Sequence, residues 1–235
     1  MPRQLTRIIP SIATITSLMC GVVAIMVLPD GNFLMAALLI MLGSILDVLD
    51  GQLAVRLNAV SDIGKELDSL ADVVTFGVAP TMLIYHLLLI VGVDRPIAIL
   101  SSLAFVMAGA LRLARFNTIP SDRNAYFKGM PIPMGSALLV TASFWQHWVI
   151  NIWWTIAVVT VSYLMVSNFA YPKSKHVMAL PVKVWVALGV YTLLCWIVSS
   201  WQAVPFGVFL LYALVGPVIS FQRSRWGKRI SEAIK

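Results

Sequence analysis

The sequence predicts an all-α fold, a polytopic membrane helix bundle of about eight transmembrane helices. Three observations predict it. Of the 235 residues, 60% are apolar and only 11% are charged, against about 25% charged in a soluble domain. The apolar residues fall in runs of roughly 20, the length a helix needs to cross a bilayer. An open sheet in lipid would leave backbone groups unpaired, so the runs read as helices.

The runs are taken in chain order. The first, 8–28, follows Arg3 and Arg7 in the manner of a secretory signal, but no small-x-small cleavage site ends it. It is read as a retained span. The second, 32–54, begins after the turn Pro29–Asn32, and the third, 64–91, after the short connection from Asn58 to Ile63. Runs at 96–118, 131–150 and 152–171 follow, the last two divided at Ile150–Asn151. Runs at 181–199 and 204–221, divided at Ser199–Gln202, and a basic tail complete the chain. No internal repeat or low-complexity segment interrupts this order.

A net charge of +7 raises nucleic acid as a partner, but its placement argues for topology instead. Of 17 Lys and Arg residues, all but Arg95 fall on one side of the predicted spans. By the positive-inside rule that side is the cytosol, and both termini lie there. The expected location is the cytoplasmic membrane, with membrane lipid as partner and no nucleic acid. Trp145, Trp148, Trp153, Trp154, Trp196 and Trp201 flank two outward turns and read as an interfacial belt. Cys20 and Cys195 lie inside apolar runs and read as packing residues rather than a disulfide framework.

Acidic residues number ten, and six of them lie between positions 47 and 72. Asp47 and Asp50 are three apart near the cytosolic end of the second span; Asp68 and Asp72 are four apart near the start of the third. Residues at those spacings share a helix face. The short connection lets the two helices pack antiparallel, so four carboxylates converge just inside the cytosolic surface. Carboxylates in a membrane span are costly and crowded ones repel; one or two divalent cations relieve both. Hard oxygen ligands favour Mg²⁺ or Mn²⁺, and Ca²⁺ also suits such a site. Gly51, Ala54 and Gly64 between the acids leave room for a ligand to approach.

These residues resemble the signature of the CDP-alcohol phosphotransferases, D-x2-D-G-x2-A-R-x8-G-x3-D-x3-D. Asp47, Asp50, Gly51, Ala54, Gly64, Asp68 and Asp72 match with every spacing kept, and Val55 stands where the pattern has arginine. Arg56 follows, but points about 100° away on a helix. The segments Gly64–Pro80, Arg112–Asn117, Lys128–Pro133 and, less closely, Ser167–Pro172 are similar to one branch, the membrane-embedded phosphatidylserine synthases.

The resemblance implies a six-helix catalytic core within 1–172, with 173–235 adding two helices and the basic tail, and a homodimer. It implies metal ligation by Asp47, Asp50, Asp68 and Asp72. A CDP-lipid, CDP-diacylglycerol in that branch, would be held by Asp50, Gly51, Ala54, Arg56, Gly64 and Asp68. Asp72 would serve as general base toward the hydroxyl of L-serine. Arg112, Arg115 and Lys128 form a basic group suited to a carboxylate or phosphate, and Thr75 is placed with them as an acceptor-binding candidate. Glycerol 3-phosphate, inositol phosphate or choline are the alternative acceptors for the same chemistry. A cation transporter is the alternative from another class; it would carry its acids near the bilayer midplane.

Overall fold

The computed structural model describes residues 3–118, 126–144, 151–172 and 203–233. It is a helical bundle. In chain order the elements are α1 (Arg3–Val27), α2 (Phe33–Arg56), α3 (Asp62–Asp72), a π-helical turn (Val73–Val78), α4 (Ala79–Ile90) and α5 (Arg95–Thr118). After these come β1 (Tyr126–Lys128), α6 (Ile132–Ala142), α7 (Asn151–Val166), β2 (Ala170–Pro172) and α8 (Ala203–Ala233). Among the described residues five stretches are long and apolar enough to cross a membrane: Ile8–Val27, Phe33–Arg56, Asp62–Ile90, Arg95–Thr118 and Val204–Phe221. Two apolar helices, Ile132–Ala142 and Ile152–Val166, are shorter.

α1 and α2 meet along matched stripes of small residues. Thr14, Ser17, Gly21 and Ala24 are buried on α1, and Ala36, Ile40, Gly43 and Asp50 on α2. Both stripes step by three, four or seven residues, the spacings of one helix face. Small residues let backbones approach, which is how helices associate where lipid removes the hydrophobic drive. Asp47 and Asp50 continue the stripe of α2 at its last turns, so packing turns them inward, away from lipid. The outer faces carry Ile12, Met19, Met26, Leu38 and Ile45, all exposed, as a lipid-facing surface requires.

The third span is the central one, with 56% of its window buried against 33% and 28% for the first two. Its π turn has two local causes. Pro80, in the first turn of α4, lacks an N–H and its ring would crowd the carbonyl four residues back. Thr75 at the turn's centre wedges between α1 and α2: its hydroxyl donates to the Ser17 carbonyl at 3.1 Å. Ser17 in turn donates to the Gly43 carbonyl at 2.9 Å. Beyond the turn Leu83, Ile84, Leu87 and Leu88 are buried and meet the cores on either side, one with α1 and α2, the other with α5, α6 and α7.

Several sequence expectations need correction. The run at 152–171 is not one helix: α7 ends at Val166 and Ala170–Pro172 is a strand. Ser167 caps the carbonyl of Leu164 at 2.8 Å, and Tyr171 precedes a proline, which disfavours helical backbone. β2 pairs antiparallel with β1, Phe127 opposite Tyr171, a ribbon the hydropathy runs did not predict. α6 is described as helix only to Ala142, short of the expected 150. α8 runs on to Ala233, so the basic tail is helical through that residue. The expected helix at 181–199, with Cys195, Trp196 and Trp201, and the residues Trp145 and Trp148 lie outside the described residues. Of the remaining belt tryptophans Trp153 is exposed, but Trp154 is 4% exposed and packed in the core, because it falls on the inner face of α7 with Val158, Val161 and Met165. Cys20 is buried.

Candidate metal and nucleotide site

The site grows from the turn between α2 and α3. α2 ends where Asn58 takes a left-handed φ of 51°, a conformation asparagine tolerates. The Ala59 N–H then closes on the Ala54 carbonyl at 2.9 Å. Ser61 opens α3 as its N-cap, its hydroxyl accepting from the Gly64 N–H at 3.1 Å. This compact reversal brings the carboxylates of α3 to those of α2, but α3 packs on α1 rather than on α2, so the expected antiparallel packing of α2 against α3 is not what holds it in place.

Three of the four signature aspartates converge. Ligand oxygens of Asp47, Asp50 and Asp68 lie within 4.8 Å of one another. Asp50 is buried, and its Oδ2 has no hydrogen-bond partner among the described residues. Asp72 stands one turn deeper, within hydrogen-bonding reach of Asp47 and close to Asp68; its Oδ1 is buried and likewise unpartnered. Only hard oxygens meet here, and inward carboxylate oxygens without a donor suit a cation as partner. The arrangement therefore fits a metal ion: Asp47, Asp50 and Asp68 form a cluster able to bind one.

Beside the aspartates opens a cleft of about 180 Å³. Its walls come from three places: Pro10, Ser11 and Thr14 of α1, Asp50, Gly51, Ala54 and Val55 at the end of α2, and Ser61, Gly64, Lys65 and Asp68 across the turn. Space around Gly51 is open, with nothing within 4 Å of where a β-carbon would sit, whereas a β-carbon at Gly64 would stand 3.0 Å from the Ser61 hydroxyl. Of the predicted CDP-lipid residues, Asp50, Gly51, Ala54, Gly64 and Asp68 line this cleft and Arg56 does not. Val55, at the position where the signature has arginine, lines it.

The predicted acceptor residues separate. Arg112 is 9% exposed and lies within electrostatic reach of Asp72 and of Tyr212 on α8. Its guanidinium sits 5.9 Å from the Phe116 ring centroid, and its Nε has no partner among the described residues. Arg115 is turned elsewhere: its Nη2 donates to Asn168 Oδ1 at 2.6 Å, at the end of α7. Lys128 is exposed on β1. Thr75 is fully buried, and its hydroxyl is engaged by the Ser17 carbonyl, so the structure brings it to a helix crossing and not to Arg112.

Residues 7–161 match the family model described as CDP-alcohol phosphatidyltransferase. The chain belongs to the CDP-alcohol phosphatidyltransferase family. Among its relatives is a protein of Bacillus subtilis named CDP-diacylglycerol–serine O-phosphatidyltransferase, 44% identical over 168 residues, covering 71% of this chain and 91% of the relative. A Methanocaldococcus jannaschii protein of the same name is 41% identical over 136 residues, 57% of this chain and 62% of the relative. An archaetidylserine synthase of Methanothermobacter thermautotrophicus is 33% identical over 168 residues, 70% of each chain. The family match covers α1 to most of α7, the elements that build the cleft and carry Arg112.

Sequence reasoning did not find Ser11, Thr14, Lys65 or Tyr212. For the α1 residues a signal existed: hydroxyls at 11, 14 and 17 recur at helical spacing along one face of an otherwise apolar run. For Tyr212 none did, since its approach to Arg112 joins residues a hundred positions apart.

Proposed function

We propose that the chain is a CDP-diacylglycerol–serine O-phosphatidyltransferase, transferring a phosphatidyl group to the L-serine hydroxyl and releasing CMP in phospholipid biosynthesis. One observation carries the reading: an aspartate cluster beside an open cleft, with a buried, incompletely partnered Arg112 next to Asp72. The cleft is suited to the nucleotide end of the donor, and Arg112 to the carboxylate that distinguishes serine from choline or another neutral or cationic alcohol. The serine names of the relatives support the same acceptor.

Asp47, Asp50 and Asp68 would hold Mg²⁺ or Mn²⁺, with Asp72 near enough to share a second ion. A bound divalent ion neutralises charge on the diphosphate and stabilises the departing CMP. The chain's own residues do the rest. The open space at Gly51 and the small side chain of Ala54 admit the cytidine end, and the acyl chains extend into lipid. Arg112 fixes the serine carboxylate so that its hydroxyl faces the phosphorus attached to the lipid. Asp72 accepts the hydroxyl proton as the new oxygen–phosphorus bond forms and the bond to CMP breaks. Lys128 and Arg115 contribute positive charge to the same face, and Arg56 remains outside the cleft. Thr75 acts by holding the helix crossing beneath the site.

The distribution of Lys and Arg supports a cytosol-facing site, cytosolic termini, residence in the cytoplasmic membrane and lipid rather than nucleic acid as partner. The family resemblance supports catalysis within 1–172 and a homodimer. Purified protein supplied with CDP-diacylglycerol and, separately, serine, glycerol 3-phosphate, inositol phosphate or choline should release CMP with serine. Faster release with another alcohol refutes the serine assignment; uptake of metal ions into liposomes without CMP release refutes the enzyme reading.

A further inference from the structure

The cleft must accommodate a diphosphate, yet the wall supplied by α2 brings it no positive charge. Val55 lines the cleft and Arg56 does not, adjacent helix positions pointing about 100° apart. Across the cleft, on the first turn of α3, stands Lys65. Among the described side chains that line the cleft it alone is basic. We infer that Lys65 binds the diphosphate of the CDP-lipid, supplying from α3 the charge that position 55 lacks on α2. The inference rests on the proposed function and adds a donor-binding residue to it.

The geometry suits that task. The Lys65 backbone is fixed, its N–H donating to the Ser61 carbonyl at 3.1 Å, so the stem rises from a capped, rigid turn. Its ammonium is held at the rim by Asp62, with Nζ 3.1 Å from Oδ1 and the two side chains 65% and 98% exposed. An ion pair so exposed holds weakly, and the long stem lets the ammonium turn inward. Asp68, one turn further along α3, lines the same cleft. A diphosphate entering beside Asp50 and Asp68 thus meets the aspartate cluster on one side and Lys65 on the other. A lysine serves here as a point charge with three donors, needing none of the planar register an arginine fork demands.

The test is kinetic, with a binding measurement beside it. Lys65→Met should raise the KM for CDP-diacylglycerol about tenfold, as loss of a charge-assisted hydrogen bond predicts. The KM for serine and the kcat at saturating donor should stay near those of the parent protein. Lys65→Arg should behave as the parent, and Val55→Arg placed in the Lys65→Met background should recover donor affinity. Asp62→Asn, which breaks the rim pair but keeps the ammonium, should leave the donor KM unchanged or lower it. An unchanged donor KM in Lys65→Met overturns the inference, as does an equal defect in Asp62→Asn, which would make the pair merely structural. Calorimetric titration with CDP in the presence of Mg²⁺ reads Lys65 without turnover. Weaker CDP binding by Lys65→Met in a protein that transfers to no alcohol would sustain the phosphate-binding role while refuting the proposed function. Equal CDP binding would refute the role alone.

Discussion

Replacing Gly43 with alanine probes the crossing on which the site rests. A β-carbon at position 43 would lie 2.6 Å from Thr75 Cγ2, whereas carbon atoms rest about 3.5–4.0 Å apart. The overlap of roughly 1 Å cannot be relieved by a rotamer change, because Thr75 is fully buried and its hydroxyl is fixed on Ser17. α2 must move off the third span, and overpacking of this kind costs about 1–3 kcal/mol. Taking about 2 kcal/mol, the midpoint of thermal unfolding should fall by roughly 4–8 °C. Thr75→Ser removes the offending methyl and keeps the hydroxyl, at a cost of about 0.8 kcal/mol for the lost methyl. The two together should be more stable than their summed effects by about 1–2 kcal/mol, since the added methyl occupies the space the lost one leaves. Circular dichroism during heating in detergent measures all four proteins. Additive losses would refute the close crossing of α2 and the π turn.

Asp72→Asn should keep CDP-lipid binding and lose transfer by about 10²–10⁴-fold, the range of a general base; full turnover in that variant would remove the assignment. Asp68→Ala should abolish Mg²⁺-dependent CDP binding by calorimetry, since it takes a ligand from the cluster. Chelation of divalent metal should stop CMP release, with Mg²⁺ or Mn²⁺ restoring it, as an all-oxygen donor set favours; undiminished release in excess chelator would remove the metal from the reaction. Gly129→Ala should destabilise the fold by more than about 1–2 kcal/mol, because Gly129 has a φ of +78° and a β-carbon there would press on the Met165 carbonyl; an unchanged unfolding midpoint would contradict the β1–α6 geometry.

The spans and the acids were legible because each is written in local spacing. Phe33–Arg56 and Arg95–Thr118 fall within two residues of the runs that predict them, and the pairs Asp47/Asp50 and Asp68/Asp72 carry their helix faces in their numbering. What was not legible depends on contacts between distant residues. Three-residue strands such as Tyr126–Lys128 and Ala170–Pro172 are too short to show alternation. Trp154 reads as an interfacial anchor by its neighbours and is a core residue by its helix face. Arg112 and Arg115 look alike at a spacing of three, yet one is buried near Asp72 and the other holds Asn168. Thr75 shows the same divide: its chemistry suits an acceptor pocket, and its position at a crossing gives the hydroxyl another partner.

The π turn at Val73–Val78 has a consequence for how one helix serves two neighbourhoods. A π turn holds one residue more than the α turn it replaces, and each α-helical residue advances about 100° around the axis. Removing one residue from this turn would rotate everything from Ala79 onward by about that angle relative to Asp68 and Asp72. The acids are in register with α2, while Leu83, Ile84, Leu87 and Leu88 are in register with the cores to either side. The extra residue acts as a phase adjuster, letting two faces with different partners share one continuous axis. A chain lacking it would keep its hydropathy, its charge and every aspartate spacing, and would still turn either the acids or the leucines to the wrong side.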